Sequence, residues 1–236
     1  MAAHDTLPYR TALIIGAGVG ISASLARAFS RAGLKVGLVA RDPAKLENLA
    51  GETGASVFSA DASQPAAVAQ LFTDVDARLG EPDVLVYNAA ARAQGSVAEI
   101  DPALVRDAMA ITAFGGFLAV QQAAKRMIPR EHGAILLTGA SASVKGFPRS
   151  SAFAMGKFAL RGLAQSTARE LGPKGIHVAH FIIDGAVRGA RHTDPTEHPD
   201  STLNPDSIAQ AYVDVLRQPR DAWSFEVELR PWVETF

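Results

Sequence analysis

Three glycines in Gly16-Ala17-Gly18-Val19-Gly20 follow the apolar run 12–15 and lead straight into an alanine-rich stretch. Glycine lets a chain turn sharply and bring backbone N–H groups against an oxyanion, and the start of a helix adds partial positive charge at the same place. The chemistry such spacing serves is pyrophosphate binding, so Gly16, Gly18, Gly20 and Ile21 are candidate contacts for a dinucleotide. An ordinary strand-to-helix turn also uses glycine, but the position after the first strand of a βαβ unit favours the nucleotide. About twenty residues further on, where an acidic side chain would hold the ribose hydroxyls of NAD(H), the chain reads Val39-Ala40-Arg41-Asp42. Ala40 cannot accept those bonds, whereas the Arg41 guanidinium suits a 2′-phosphate by charge and by its bidentate geometry. NADP(H) is favoured and NAD(H) stays open, as does a plain ion pair of Arg41 with Asp42 or Glu47.

Other reactive groups are sparse. There is no cysteine, which excludes a disulfide framework, a thiolate metal site and a cysteine nucleophile. His192, Asp194, Glu197, His198 and Asp200 gather between 188 and 204. Imidazole and carboxylate could in principle hold zinc, but prolines split the segment and no helical i, i+4 pair is evident, so no metal is expected. A formal charge of −1 with scattered Lys and Arg offers no basic stripe for nucleic acid and no polybasic patch for a membrane surface. The first ten residues lack a basic stretch followed by an apolar one, and no run reaches the ~18 uninterrupted apolar residues of a membrane span, so a cytoplasmic protein acting on a small molecule is expected.

The elements that must position these residues are legible from apolar patterning. Short β-rich runs at 12–15, 35–40, 56–59, 84–87, 134–138, 177–183 and 225–229 alternate with helical spacing at 20–32, 43–51, 65–79, 101–127, 151–171 and 205–217. That alternation predicts an α/β domain, and the nearly continuous apolar character of the strands predicts helices on both sheet faces. With 236 residues, 48% hydrophobic and 20% charged, the whole chain 1–236 fits one doubly wound Rossmann-type domain with a mostly parallel, seven-stranded sheet. The segment 188–204, rich in Pro, His, Asp and Thr, is long enough to serve as a substrate lid. Trp223, Phe225, Trp232 and Phe236 mark 223–236 as a last strand and a packed tail.

Taken together, several segments between Thr11 and Gly185 resemble the short-chain dehydrogenase/reductase family. The glycine motif matches with Gly16 and Gly20, although Ser22 stands at its last glycine; Asp61-Ala62 resembles the adenine-contacting pair, and Tyr87-Asn88-Ala89-Ala90 the Asn-Asn-Ala-Gly segment. The resemblance implies hydride transfer between a nicotinamide and a carbonyl or alcohol carbon, with a tyrosine exchanging the proton and a lysine four residues later lowering its pKa and holding the ribose. It adds Asp61, Ala62, Asn88, Lys157, Gly185 and Val187 to the cofactor contacts, and implies a homodimer or homotetramer, with the aromatic tail as one surface for it.

The same resemblance exposes four departures. The tyrosine-to-lysine signature reads Phe153-Ala154-Met155-Gly156-Lys157, and a phenyl ring has no proton to give, a loss that typically costs ~10²–10⁴ in rate. The family serine falls on Ala140, with Ser141 one place later and Ser143 beyond. The family asparagine becomes Thr112, whose hydroxyl could orient a water or a carbonyl but lacks the amide's paired donor and acceptor. Asp184 replaces the proline of a Pro-Gly pair. Lys157, Ser141, Thr112 and Phe153 therefore form the expected catalytic set, with Tyr87, Ser141, Ser143, Asp184 and Lys157 as replacement acids. The expected function is an NADP(H)-dependent oxidoreductase on an unknown carbonyl or alcohol. The alternatives are a catalytically impaired dinucleotide sensor or a non-redox enzyme on the same frame. The segments 94–97, 146–150 and 188–204, expected to wall the pocket, carry no code that names a substrate.

Overall fold

The computed structural model describes residues 7–190 and 192–235. Strands β1 (Thr11–Ile15), β2 (Lys35–Ala40), β3 (Ser56–Ser59), β4 (Val84–Tyr87), β5 (Gly133–Thr138), β6 (Ile176–Ile183) and β7 (Glu226–Leu229) form one sheet in the order β3-β2-β1-β4-β5-β6-β7. Every neighbouring pair is parallel, β7 included. All residues of β1, β4, β5 and β6 are buried, which is why these strands read as unbroken apolar runs.

Successive side chains of a strand point to opposite faces, and each face has its own helical cover. Ala12 and Ile14 join a core with Leu25 and Phe29 of α1 (Ile21–Arg31), Leu49 of α2 (Glu47–Thr53) and Tyr212 of α7 (Pro205–Leu216). Leu13 and Ile15 join the opposite core with Phe72 of α3 (Pro65–Leu79), Met127 of α5 (Gly115–Met127) and Leu160 of α6 (Ser151–Leu171). The strand order reverses between β1 and β4, so the loops leaving their C-terminal ends, at Gly16 and Asn88, diverge and open a crevice.

The helix expected over 101–127 is interrupted. α4 (Pro102–Met109), capped by the Asp101 carboxylate on the Ala103 N–H, passes through a π turn at Ala110–Phe114 before continuing as α5. A π turn leaves the helical ladder out of step and frees a carbonyl. Here the Tyr87 hydroxyl donates to the Ile111 carbonyl, and Gly115 is needed because a Cβ there would lie 2.4 Å from that hydroxyl oxygen. By length and composition the run Pro102–Arg130 could cross a membrane, but Leu118, Ala119, Ala123 and Met127 pack it onto the sheet as a core helix.

The aromatic tail is used within the chain. Trp223 stacks on His177 at 4.7 Å, and the Trp232 indole donates to the Pro199 carbonyl at 3.2 Å, joining the tail to the 188–204 loop. Phe236, also expected in this tail, lies outside the described residues.

Candidate active site

A cleft of about 600 Å³ lies over the C-terminal ends of β1, β2 and β4, lined by the glycine loop, Arg41, Asp61, Ala62 and Asn88 among others. Each glycine of the loop has its own physical reason. Gly16 has φ +87°, and a Cβ on it would lie 2.4 Å from the Ala89 backbone nitrogen, so the β1 and β4 loops touch only because it is bare. Gly20 has φ +86°, which side chains other than hydrogen tolerate poorly. Gly18 faces open space, and Val19 at the loop tip is 99% exposed.

Ser22, at the family's third glycine, fastens this loop. Its hydroxyl donates to the Gly16 carbonyl at 3.0 Å and accepts from the Asn88 amide at 2.8 Å. Among the described residues no side chain caps the first turn of α1, which leaves its first N–H groups without a side-chain partner at the crevice. This is a bare, polarised cradle of the kind a pyrophosphate fills.

Arg41 and Lys45 line the rim of the same cleft. Asp42 pairs with Lys45 at 3.0 Å, and Arg41 makes no ion pair among the described residues, so its guanidinium is available. Asp61 accepts from the Ser63 backbone and hydroxyl at 2.9 and 2.7 Å; these bonds, with Arg41 nearby, hold its carboxyl below the usual range. Val187 pairs across an isolated bridge with Leu203 and lines an adjoining cleft of about 720 Å³ with Gly20, Ile21, Asn88 and Arg188. Gly185 serves packing: at φ +148°, a Cβ on it would sit 2.7 Å from the Pro231 ring.

Beyond the C-terminal end of β5, Lys157 is 3% exposed and its ammonium donates to the Thr138 carbonyl at 2.6 Å. Burial, aided by the Arg92 charge, pulls its pKa from 10.5 down to about 7. An ammonium has three donors, so two remain for ribose hydroxyls or a substrate oxygen. The Phe153 ring is half-buried rather than sealed in the core, its centroid 5.9 Å from Lys157 Nζ and covered at 4.5 Å by the Arg92 guanidinium. Thr112 is buried on the π turn, and its hydroxyl accepts from the Ala91 N–H at 3.0 Å, tying the β4 loop to the helix. Gly156 of α6 is bare because a Cβ would approach Thr112 Cβ to 3.0 Å.

A glycine-bound crevice at the sheet's switch point, with a buried lysine beside it, agrees with the family profile described as short chain dehydrogenase, which matches residues 10–197. The chain belongs to the short-chain dehydrogenase/reductase family. One similar protein is "Inactive 2-(S)-hydroxypropyl-CoM dehydrogenase 2" of Xanthobacter autotrophicus, 36% identical over 165 residues, covering 69% of this chain and 71% of the relative. A solved short-chain dehydrogenase from Rhodopseudomonas palustris is 34% identical with a TM-score of 0.82, over 94% of this chain and 99% of that one. A metagenomic short-chain oxidoreductase in complex with NADP is 26% identical with a TM-score of 0.82, over 95% of this chain and 98% of that one.

Within this short-chain dehydrogenase frame the replacement acids separate. Tyr87 is fully buried in the core, its proton is given to the Ile111 carbonyl, and burial raises its phenol pKa, so it is a poor acid for a substrate. Ser143 is also buried and its hydroxyl accepts from the Ala140 N–H at 3.1 Å, shaping the turn. Burial pushes the Asp184 pKa up, but hydrogen bonds from Ser141 and Lys145 and the nearby Arg230 outweigh it, so the carboxyl stays ionised. Lys145 lies 3.3 Å and Arg230 3.4 Å from that carboxylate. Lys157 remains as the titratable group beside Phe153.

Three features escaped the sequence reading. Arg92 carried no motif and stands out only by standing four residues after Asn88. His180 binds Glu226 through Nδ1 at 3.2 Å, while Arg161 grips the same carboxylate with two 2.7 Å bonds. His180 Nε2 is buried without a partner among the described residues, burial takes its pKa down to about 4, and Gly139 must be bare because a Cβ would lie 2.4 Å from Nε2. In the 188–204 loop, Arg188 pairs with both Asp194 and Asp200, and Asp194 also accepts from the Thr202 N–H at 2.8 Å. Asp194 and Asp200, two of the three carboxylates weighed as metal ligands, are occupied in folding the loop.

Proposed function

We propose that the protein is an NADP(H)-dependent oxidoreductase that interconverts a carbonyl and an alcohol, with Lys157 supplying the proton that the family takes from tyrosine. The observation that carries this reading is the buried Lys157 ammonium beside Phe153, with two free donors and a pKa near 7. A bound nicotinamide supplies or accepts the hydride at the substrate carbon. In reduction the carbonyl π electrons move onto oxygen, which takes a proton from Lys157, leaving a neutral amine that solvent reprotonates.

Following nicotinamide absorbance with a panel of activated ketones tests this. Reduction is expected to decline as pH rises through about 7, where Lys157 loses its proton, and oxidation of the product alcohol to rise over the same range. No turnover across the panel, despite saturable cofactor binding, would sink it.

Arg41 supports NADP(H) over NAD(H). Removing it by Arg41→Ala is expected to weaken NADPH by roughly ten- to a hundredfold, in keeping with the roughly 1.5–3 kcal/mol of a hydrogen bond to a charged group, and to leave NADH affinity unchanged. Equal loss for both cofactors in a fluorescence titration would refute a 2′-phosphate contact.

A second reading is favoured by Phe153 itself and by the relative named as inactive: a dinucleotide-binding regulator that has lost redox chemistry. It requires a raised thermal midpoint on NADPH addition without turnover.

In either reading we place the 188–204 loop as a lid and the chain in a homo-oligomer. Phe114, Phe117, Met155 and Phe158 of the π turn, α5 and α6 are exposed, an apolar face of the sort that another subunit covers. Phe158→Asp is expected to lower the mass measured by light scattering to that of a single chain; an unchanged oligomer would remove this face from the assembly.

A further inference from the structure

The segments 88–98 and 139–157 meet around Phe153, joined by the Gly95 N–H donating to the Arg149 carbonyl at 3.0 Å. They contribute four cations, Arg92, Lys145, Arg149 and Lys157, and neither contains an Asp or Glu. The carboxylate of Asp184 answers Lys145 at 3.3 Å. Arg92 and Arg149 form no ion pair among the described residues.

Two of these cations share one aromatic ring: Arg92 at 4.5 Å and Lys157 at 5.9 Å from the Phe153 centroid. A single arginine over a phenyl ring is common. Two cations at one ring repel each other, and Arg92 disfavours the charged form of Lys157. Among the described residues no carboxylate answers this pair of cations, so an anion from outside would complete the arrangement beside Lys157.

We propose that Arg92 binds a carboxylate of the substrate, so that this site takes oxo acids and hydroxy acids in preference to neutral ketones and alcohols. The inference rests on the oxidoreductase reading, which it deepens. The guanidinium presents a planar fork that a carboxylate matches with two parallel bonds, and the Phe153 ring beneath fixes the plane of that fork. The hydroxyl of a tyrosine at position 153 would give a substrate oxygen a donor; the phenyl ring instead holds the arginine that orients the acid end.

The test uses the full chain loaded with NADP⁺, so that binding is measured without turnover, and two matched pairs of probes: benzoylformate and acetoacetate, each against its methyl ester. Binding is read by saturation-transfer NMR, and NADPH oxidation by the same four compounds is measured separately. Each acid is expected to bind at least tenfold more tightly than its ester. Arg92→Ala should abolish that preference, Arg92→Lys should keep part of it through charge alone, and the pH at which reduction declines should move upward in Arg92→Ala as Lys157 loses a cationic neighbour. Equal binding of acid and ester, an acid preference that survives in Arg92→Ala, or no binding of any probe overturns the proposal. Arg92-dependent acid binding without NADPH oxidation leaves the carboxylate site standing and counts against the oxidoreductase reading. Turnover of acid and ester alike, whatever stands at 92, does the reverse.

Discussion

Replacing Lys157 with methionine is expected to reduce turnover of any accepted carbonyl by ~10²–10⁴, the usual cost of losing a positioned general acid, and at the same time to raise thermal stability near neutral pH. A damaged fold would lower both. The two effects have one cause, because the ammonium that makes the residue a useful acid near pH 7 is costly to bury. The free lysine has a pKa of 10.5 and the folded one about 7. Below about pH 7 both states hold the proton, and the folded state carries the full penalty of the buried charge. Between about 7 and 10.5 the folded protein has released a proton that the unfolded chain keeps, so wild-type stability rises with pH relative to the variant. The advantage of Lys157→Met should therefore be greatest near pH 6 and shrink towards pH 10, offset in part by the lost bond to the Thr138 carbonyl. Paired thermal midpoints at those pH values check it; an advantage that grows with pH would contradict the assignment of the shift to Lys157.

Phe153→Tyr is expected to act in the opposite direction, raising reductase turnover by about 10²-fold, the lower end of what a general acid supplies. The half-buried ring already lies beside Lys157, so a hydroxyl added to it enters a site where a neighbouring ammonium lowers a phenol pKa from its ordinary ~10. With tyrosine as the acid, Lys157 is freed to hold the ribose, and the decline of reduction with pH should move above 7. No gain in turnover would place a larger share of the deficit at Ala140, where the family serine hydroxyl is missing, and the double variant with Ala140→Ser would then recover it. Failure of the double variant as well would show that the deficit does not lie in these two missing hydroxyls.

Legible in the sequence are the features set by local backbone physics. Gly16 and Gly20 carry positive φ, and the buried strands are continuous apolar runs because helices cover both faces. What was not legible depends on contacts between distant segments. A π turn at Ala110–Phe114 leaves the helical pattern of apolar residues nearly intact, so nothing in 101–127 announces it; it is held by Tyr87 from β4. Asp184, read as a group that could supply a proton, is held ionised by Ser141, Lys145 and Arg230, which lie 43, 39 and 46 residues away in the chain. Arg92 looks like any surface arginine until α6 brings the Phe153 ring beneath it.

Titrating the purified protein with NADPH and NADH tests a working NADP(H) site without a known substrate. Both are expected to bind saturably, NADPH more tightly through Arg41 and the glycine cradle at the start of α1. Absence of binding by either dinucleotide would contradict it and leave the crevice at the β1–β4 switch point without the cofactor around which the rest of the site is read.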